Sequence, residues 1–487
     1  MRMMKTILPV LAALTVLAGC SEKSASPPKA EKAGTEPVKL SMWVRTPETL
    51  DLIKKSAEAF HQKYTNISIE VVNYAPEQYS AAIQAAVSGD SLPDIFQYHN
   101  SLTLSALDKL NLIQPIPFTD DFKQKFDPGT WLEGSTTLSG KVYAWPDRSF
   151  VRGPVILFYN KKLLADAGLA GKTPATWDDL IAQAKQVKEH SATLVPIVSG
   201  LKAPWAAGRI VAQLATTTGK AGLASEVYPD KQFDWKTGST YQAEPTLESI
   251  QFLKQLIIGN LMSADSIIKD PPQANADFGD GKSAYMINGH WFVKTLLDNY
   301  KNLDFGVTTL PSKSGVLPYF GVNGGSANGY LISKKSKHTN EAAKWFEFLT
   351  ENYYPELLKQ SIDLTPIQSL NSASNVDMKP QFKELIQIMN QTVRVQPTPA
   401  LINSVELETT NKLLSVSSKL PIGNIAQAYL AGGSQDVKAA VDNFVKEQEN
   451  AFSNALKAVE GSSKDRWTFP DWTVDQNYLA EKYKNKK

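Results

Sequence analysis

Val38, Leu40, Met42 and Val44 alternate with Lys39, Ser41 and Trp43, the period-two pattern of a strand with one buried face. Leu50, Ile53, Ala57, Phe60 and Tyr64 then recur at helical spacing, and the apolar run from Ile67 to Val72 predicts a second strand. A helix over Tyr79 to Val87, expected to close at Gly89 in a left-handed cap, and a short strand in "PDIFQY" complete a β-α-β-α-β opening. Alternation of this kind predicts a parallel sheet with helices on its faces, and the ligands of such sheets gather beyond the carboxyl ends of the strands. Those ends carry Trp43, Arg45, Asn73, Tyr74, Gln97, Tyr98 and His99, so polar and aromatic groups are expected along one rim.

Farther on, Val155 to Tyr159 reads as a strand and Lys161 to Ala167 as a short helix stopped by Gly168. Thr176 is an N-cap residue followed by Asp178 and Asp179 in the first turn. Trp177, Leu180, Ile181, Ala184 and Val187 form one apolar stripe, which predicts Trp177 to be core. "AYMIN" and "DFGVTTLP" read as strands, and a helix starting near Thr339 buries Ala342, Trp345, Phe346 and Leu349. From Asn371 to about Ala458 the pattern is mostly amphipathic helix; the tail "DRWTFPDWTVDQNY" is aromatic without a clear period.

The first residues depart from this pattern. Arg2 and Lys5 precede an apolar stretch, Ile7 to Leu17, of the length of a secretory signal. "LAGC" follows, with the single cysteine of the chain, Cys20, and resembles a bacterial lipobox, whose cysteine carries a diacylglyceryl group. An ordinary signal peptide with a chance cysteine is the alternative, but a lone thiol in an exported protein has no disulfide partner to explain it. Residues 21–37, rich in Ser, Pro, Lys, Glu and Ala, have almost nothing to bury and read as a flexible tether. The expected location is extracytoplasmic, lipid-anchored to the bacterial cell membrane.

At 487 residues the chain suggests two or three domains. With 42% hydrophobic and 21% charged residues and a mean hydropathy of -0.26, it has the composition of a globular protein. A net charge of +2 with interspersed signs gives no footprint for nucleic acid. There is no GxSxG, Walker or HExxH motif, the histidines are scattered, and no metal or cofactor is expected. "DFGDG" at 277–281 lacks the fifth-position ligand and terminal glutamate of a calcium loop and reads as a polar turn.

Taken in order, "SGDSLPDIF", "KVYAWPDRSFVRGPVILFYNKKLLADAGLAGKTPATWDDLIAQAKQV", "ADFGDGKSAYMINGHW", "DFGVTTLPSKSG" and "GYLISKKSKHTNEAAKWFEFLT" resemble the family 1 extracellular solute-binding proteins of ABC importers, of the maltodextrin and oligosaccharide-binding kind. The resemblance covers about residues 38–365 and fades beyond. It implies a two-lobed type II periplasmic-binding-protein-like α/β fold, each lobe a mainly parallel sheet flanked by helices, with a ligand cleft at the hinge. Transferred by segment, one lobe spans 38–150 plus 320–365 and the other 153–317 plus 366–487. Crossovers are expected near Ser149 to Pro154, Pro318 to Gly321 and Asp363 to Ile367. The resemblance implies as partners a carbohydrate, an oligosaccharide by analogy with the family, and the permease subunits, with the protein itself a monomer.

Aromatic faces attract the C–H faces of sugars by dispersion, while hydroxyls need planar polar partners. In the family the segment matching "MINGHW" turns its tryptophan into the cleft, which implies ligand binding by Trp291, with His290 beside it; core packing is the alternative for both. Trp43, Gln97 and His99 follow from the strand-end argument, and Arg148 from its place before the first crossover. Trp205 matches a helix start that often carries a stacking aromatic, and Gly324 and Gly325 would offer bare backbone N–H groups. Trp145 and Trp235 are weaker candidates. A competing class, a cell-surface glycoside hydrolase, would need two carboxylates across a cleft, with Asp94, Asp147, Asp277 and Asp280 available. Clustered basic residues in the cleft would favour a sugar phosphate and clustered acids a polyamine; the sequence makes neither evident.

Overall fold

The computed structural model describes residues 36–98, 104–225, 232–323, 329–372, 376–416, 418–433, 436–479 and 482–483. Cys20, His99, Gly324 and Gly325 lie outside the described residues.

The opening pattern folds as read, with strands Val38–Val44, Ile67–Asn73 and Ile95–Gln97 and helices Pro47–Lys63 and Pro76–Ser88. These three strands pair in parallel, with Val38–Val44 in the middle. Tyr330–Ser333 then enters beside Ile95–Gln97 and runs antiparallel to it, to Ile113–Gln114 and to Ala144–Trp145. A second sheet has the order Phe305–Thr308, Val155–Asn160, Ser283–Gly289, Val195–Ser199. Its first two pairings are antiparallel and its last is parallel. The short strands Ala224–Ser225, Phe320–Val322 and Val393–Val395 make a third, parallel sheet. The expectation of mainly parallel sheets is therefore corrected to mixed ones. β-α alternation dictates direction only for strands joined by local crossovers, whereas strands returning from distant segments enter from either end.

Helix Thr339–Lys359 packs Trp345, Phe346 and Leu349 onto the first sheet. Trp145 is fully buried there, its ring parallel to Phe346 at 5.6 Å and to Tyr354 at 5.2 Å, and its indole N–H donates to Thr350 Oγ1 at 3.0 Å. Trp177 opens helix Trp177–His190 behind a Thr176–Asp179 capping box and stacks on Phe252 at 4.2 Å, core as its stripe predicts. Helix Pro76–Ser88 ends differently from expectation. Gly89 has φ −88°, and the left-handed residue is Asp90 at φ 58°, whose short polar side chain tolerates it. The aromatic tail has no period because it is not a regular element. Trp467, Phe469, Trp472, Tyr478 and Tyr483 pack around Phe233 and fully buried Trp235, and the Tyr478 amide donates to Val395 O at 2.8 Å.

Where the chain leaves the first sheet for the second, the connecting segments are bonded to one another. The Ser149 amide donates to Leu364 O at 2.8 Å. Gln213, fully buried, accepts from the Val155 amide at 2.8 Å and donates to Pro318 O at 3.1 Å.

Candidate functional site

The buried strand Ser283–Gly289 ends beneath an indole: a methyl group on Gly289 would collide with the Trp291 ring. Trp291 is half-buried at the start of helix Phe292–Asn299. Its ring lies 6.1 Å from that of Trp205, which stands 56% exposed in the first turn of helix Pro204–Thr216. His290 is buried beside them, edge-on to Trp291 at 5.3 Å. One turn beyond Trp205 the same helix face presents Arg209. Its guanidinium sits 5.7 Å from the Trp291 ring and 5.4 Å from that of Phe320, and donates to Gly153 O at 3.2 Å. Trp205, His290 and Trp291 are thus brought together, at the edge of the crossovers.

Adjoining this group is a knot of charge. Arg148, almost wholly buried, donates to Asp147 at 3.0 Å, Glu48 at 3.1 Å and Asp363 at 3.3 Å, and Arg152 lies 3.7 Å from the same Asp363 carboxylate. Burial by itself would push Asp363 up, but the Arg152 and Arg148 guanidiniums outweigh it and hold the carboxyl below its ordinary value. Asp147 goes the other way: its burial exceeds the help of Arg148 and Arg152, so its pKa is raised. The two carboxylates thus share one guanidinium in different surroundings.

On the first sheet's rim, Trp43 is half-buried against Tyr74 at 4.7 Å. Gln97 is fully buried. Its side-chain oxygen accepts from the Arg45 amide at 2.9 Å, and its nitrogen reaches Thr46 Oγ1 at 3.3 Å and Asp147 at 3.4 Å. In this arrangement Gln97 and Arg148 are both buried, each with side-chain bonds to the rim. Trp145 and Trp235 are core residues. Sequence reasoning missed Arg152, Arg209 and Asp363. The spacing of Trp205 and Arg209, four residues apart on one helix, was the available signal for the second; Asp363 had none, because its partners are distant in sequence.

The four acids considered for a hydrolase each have partners within the protein. Asp94 accepts from the Ser41 amide at 2.9 Å, Ser41 Oγ at 2.8 Å and Ser336 Oγ at 2.7 Å. Asp277 and Asp280 pair with Lys282 at 3.2 and 3.0 Å, and Asp147 is sealed in with Arg148. Among the described residues no group of three or more His, Cys, Asp or Glu could hold a metal ion, and no helix is long and apolar enough to cross a membrane.

Mixed and parallel sheets flanked by helices, with connecting segments bonded to one another, define an α/β architecture that carries an aromatic and cationic group at the junction of its two larger sheets. The sequence pattern of the bacterial extracellular solute-binding protein family matches residues 46–354, and the chain belongs to that family. It is 23% identical over 344 residues, 68% of this chain and 71% of the other, to an uncharacterized ABC transporter extracellular-binding protein of Pyrococcus horikoshii. It is likewise 23% identical over 319 residues, 63% of this chain and 66% of the other, to an arabinooligosaccharide-binding protein of Halalkalibacterium halodurans. Among solved structures, the maltose/maltodextrin-binding domain MalE from Bdellovibrio bacteriovorus, bound to maltotriose, superposes with a TM-score of 0.61 at 19% identity, covering 86% of this chain and 100% of that one. That likeness shows the type II periplasmic-binding-protein fold. Family membership places the protein outside the cytoplasm.

Proposed function

We propose that the protein captures a sugar or oligosaccharide in a cleft between two lobes and delivers it to the permease subunits of an ABC importer, with no catalysis of its own. The first lobe comprises residues 38–150 plus 320–365, and the second 153–317 plus 366–487. The hydrogen bonds between the connecting segments, Ser149 to Leu364 and Gln213 to Val155 and Pro318, support this division. The observation that carries this reading is the pair Trp205 and Trp291. An indole left 56% exposed beside a second, half-buried indole and a histidine is a surface for the flat faces of a sugar ring. The related arabinooligosaccharide-binding protein and the maltotriose-bound neighbour support the ligand class.

Trp291→Ala tests it. The variant should lose about 2 kcal/mol of saccharide binding, roughly thirtyfold in affinity, as for a hot-spot aromatic. Because the ring is only half-buried, stability should fall much less than the roughly 3 kcal/mol or more of a core tryptophan. Calorimetric titration with a glycan panel and urea melts on the same variant separate these quantities. Unchanged affinity with a large stability loss would return Trp291 to the core.

The reading includes a lipid anchor at Cys20, supported by the "LAGC" motif and the polar stretch after it. Cys20→Ala should move the protein from the membrane fraction to the soluble one while thermal unfolding of the folded body stays unchanged. A variant that still fractionates with membranes and carries lipid would overturn the anchor.

A further inference from the structure

We propose that Gln427 and Gly423, four residues apart on helix Ile422–Leu430, are positioning residues for the Trp205 ring: they fix the loop and the first helical turn that hold it beside Trp291. The inference rests on the saccharide reading above. It assigns the rigidity of the binding surface to a helix that lies beyond residue 354, where the match to the family pattern ends.

A stacking surface works only while it is held still, because dispersion fades over fractions of an ångström. Trp205 stands where a helix restrains a side chain least. It is the second residue of Pro204–Thr216, its ring is mostly exposed, and the N-cap residue, Ala203, offers no side-chain acceptor to the first turn. The restraint comes from outside the helix. In the loop ahead of it, the Leu201 amide donates to Ser266 O and the Lys202 amide to Lys269 O, both at 2.9 Å. The carbonyls of the same two residues accept from one side chain, the Gln427 Nε2 group, at 2.6 Å each. Because both acceptors are carbonyl oxygens, only the NH2 end of the Gln427 amide fits there. Leu201 and Lys202 are thereby fixed through both their donors and their acceptors. Gly423 fixes the next step. A methyl group on it would lie 1.9 Å from Pro204 O and 3.0 Å from the Gly208 nitrogen, so the two helices meet backbone to backbone at the turn that carries Trp205. Gly208 returns the contact, since its own methyl would stand 3.4 Å from the Gly423 nitrogen. Four-residue spacing puts Pro204 and Gly208 on one face of their helix, and Gly423 and Gln427 on one face of theirs.

Gln427→Glu provides the test, because it keeps the shape of the side chain and removes its donors. The purified variant is titrated calorimetrically with maltotriose, stachyose, arabinotriose and chitotriose, alone and combined with Trp205→Ala. Gln427→Glu should weaken the tightest-binding of these sugars about three- to tenfold and Trp205→Ala should weaken it more. Adding Gln427→Glu to Trp205→Ala should bring almost no further loss, since residues acting through one ring are not additive. Amide hydrogen exchange in the sugar-free protein should rise roughly tenfold across residues 201–208 in Gln427→Glu and stay unchanged in strand Ser283–Gly289. Gly423→Ala should act in the same direction, and thermal melts identify either variant if it fails to fold, the other then deciding. Losses that multiply in the double variant would overturn the inference, because Gln427 would then act elsewhere than through Trp205. Unchanged exchange, or wild-type affinity in Gln427→Glu while Trp205→Ala binds weakly, would overturn it too and leave the saccharide reading standing. If none of the four sugars binds the wild-type protein, both fall.

Discussion

Trp145→Ala is expected to destabilise the protein by roughly 3–5 kcal/mol, the largest loss for any single truncation discussed above. The ring is fully buried between two parallel aromatic faces, Phe346 and Tyr354, and its N–H is bonded to Thr350. Truncation loses the transfer energy of the indole, opens a cavity between two rings on one rigid helix, and leaves the buried Thr350 hydroxyl without that donor. Denaturant unfolding followed by circular dichroism should show a lower midpoint with an unchanged slope. A loss below about 1 kcal/mol would mean that Phe346 and Tyr354 close over the gap, and that the stack contributes little to the first sheet's packing.

Asp363→Asn should cost less, roughly 3 kcal/mol, and its loss should depend on pH. The substitution keeps the shape but removes a counterion of Arg148 and the ion-pair partner of Arg152, and Arg148 retains Asp147 and Glu48. The folded-state pKa of Asp363 is lowered, so its contribution is fully present above the unfolded carboxylate value, about 3.9, and is lost as pH falls through the lower folded value. The stability gap between wild type and variant should accordingly be constant near neutrality and close below about pH 4. Parallel acid limbs for the two proteins would show that Arg148 and Arg152 do not stabilise the Asp363 charge.

Much of the fold was legible in the sequence because it is written in local periods. The alternation at Val38–Val44, the stripe of helix Trp177–His190 and its Thr176 N-cap all came out as read. Strand direction was less legible: Tyr330–Ser333 looks the same whichever way it enters, and only its distant partners decide. The site was legible only where neighbours in sequence are neighbours in space. His290 and Trp291 meet for that reason, whereas the approach of Trp205 to Trp291 and of Arg148 to Asp363 depends on crossovers that no period encodes. Gln97 sits at the strand end where a ligand contact was expected, and its bonds to Arg45, Thr46 and Asp147 come from segments that no local period connects.

The first sheet has a consequence for how the chain reaches its place of work. Ile95–Gln97 cannot acquire its second neighbour until Tyr330–Ser333 has been synthesised, so half of the sheet waits on a segment far downstream in the polypeptide. Closing loops of this length is slow, because the entropy of bringing the ends together is spent before the pairing repays it. A protein exported before it folds passes the membrane as an extended thread. Delayed compaction of this kind prolongs the interval in which the thread can still be drawn through.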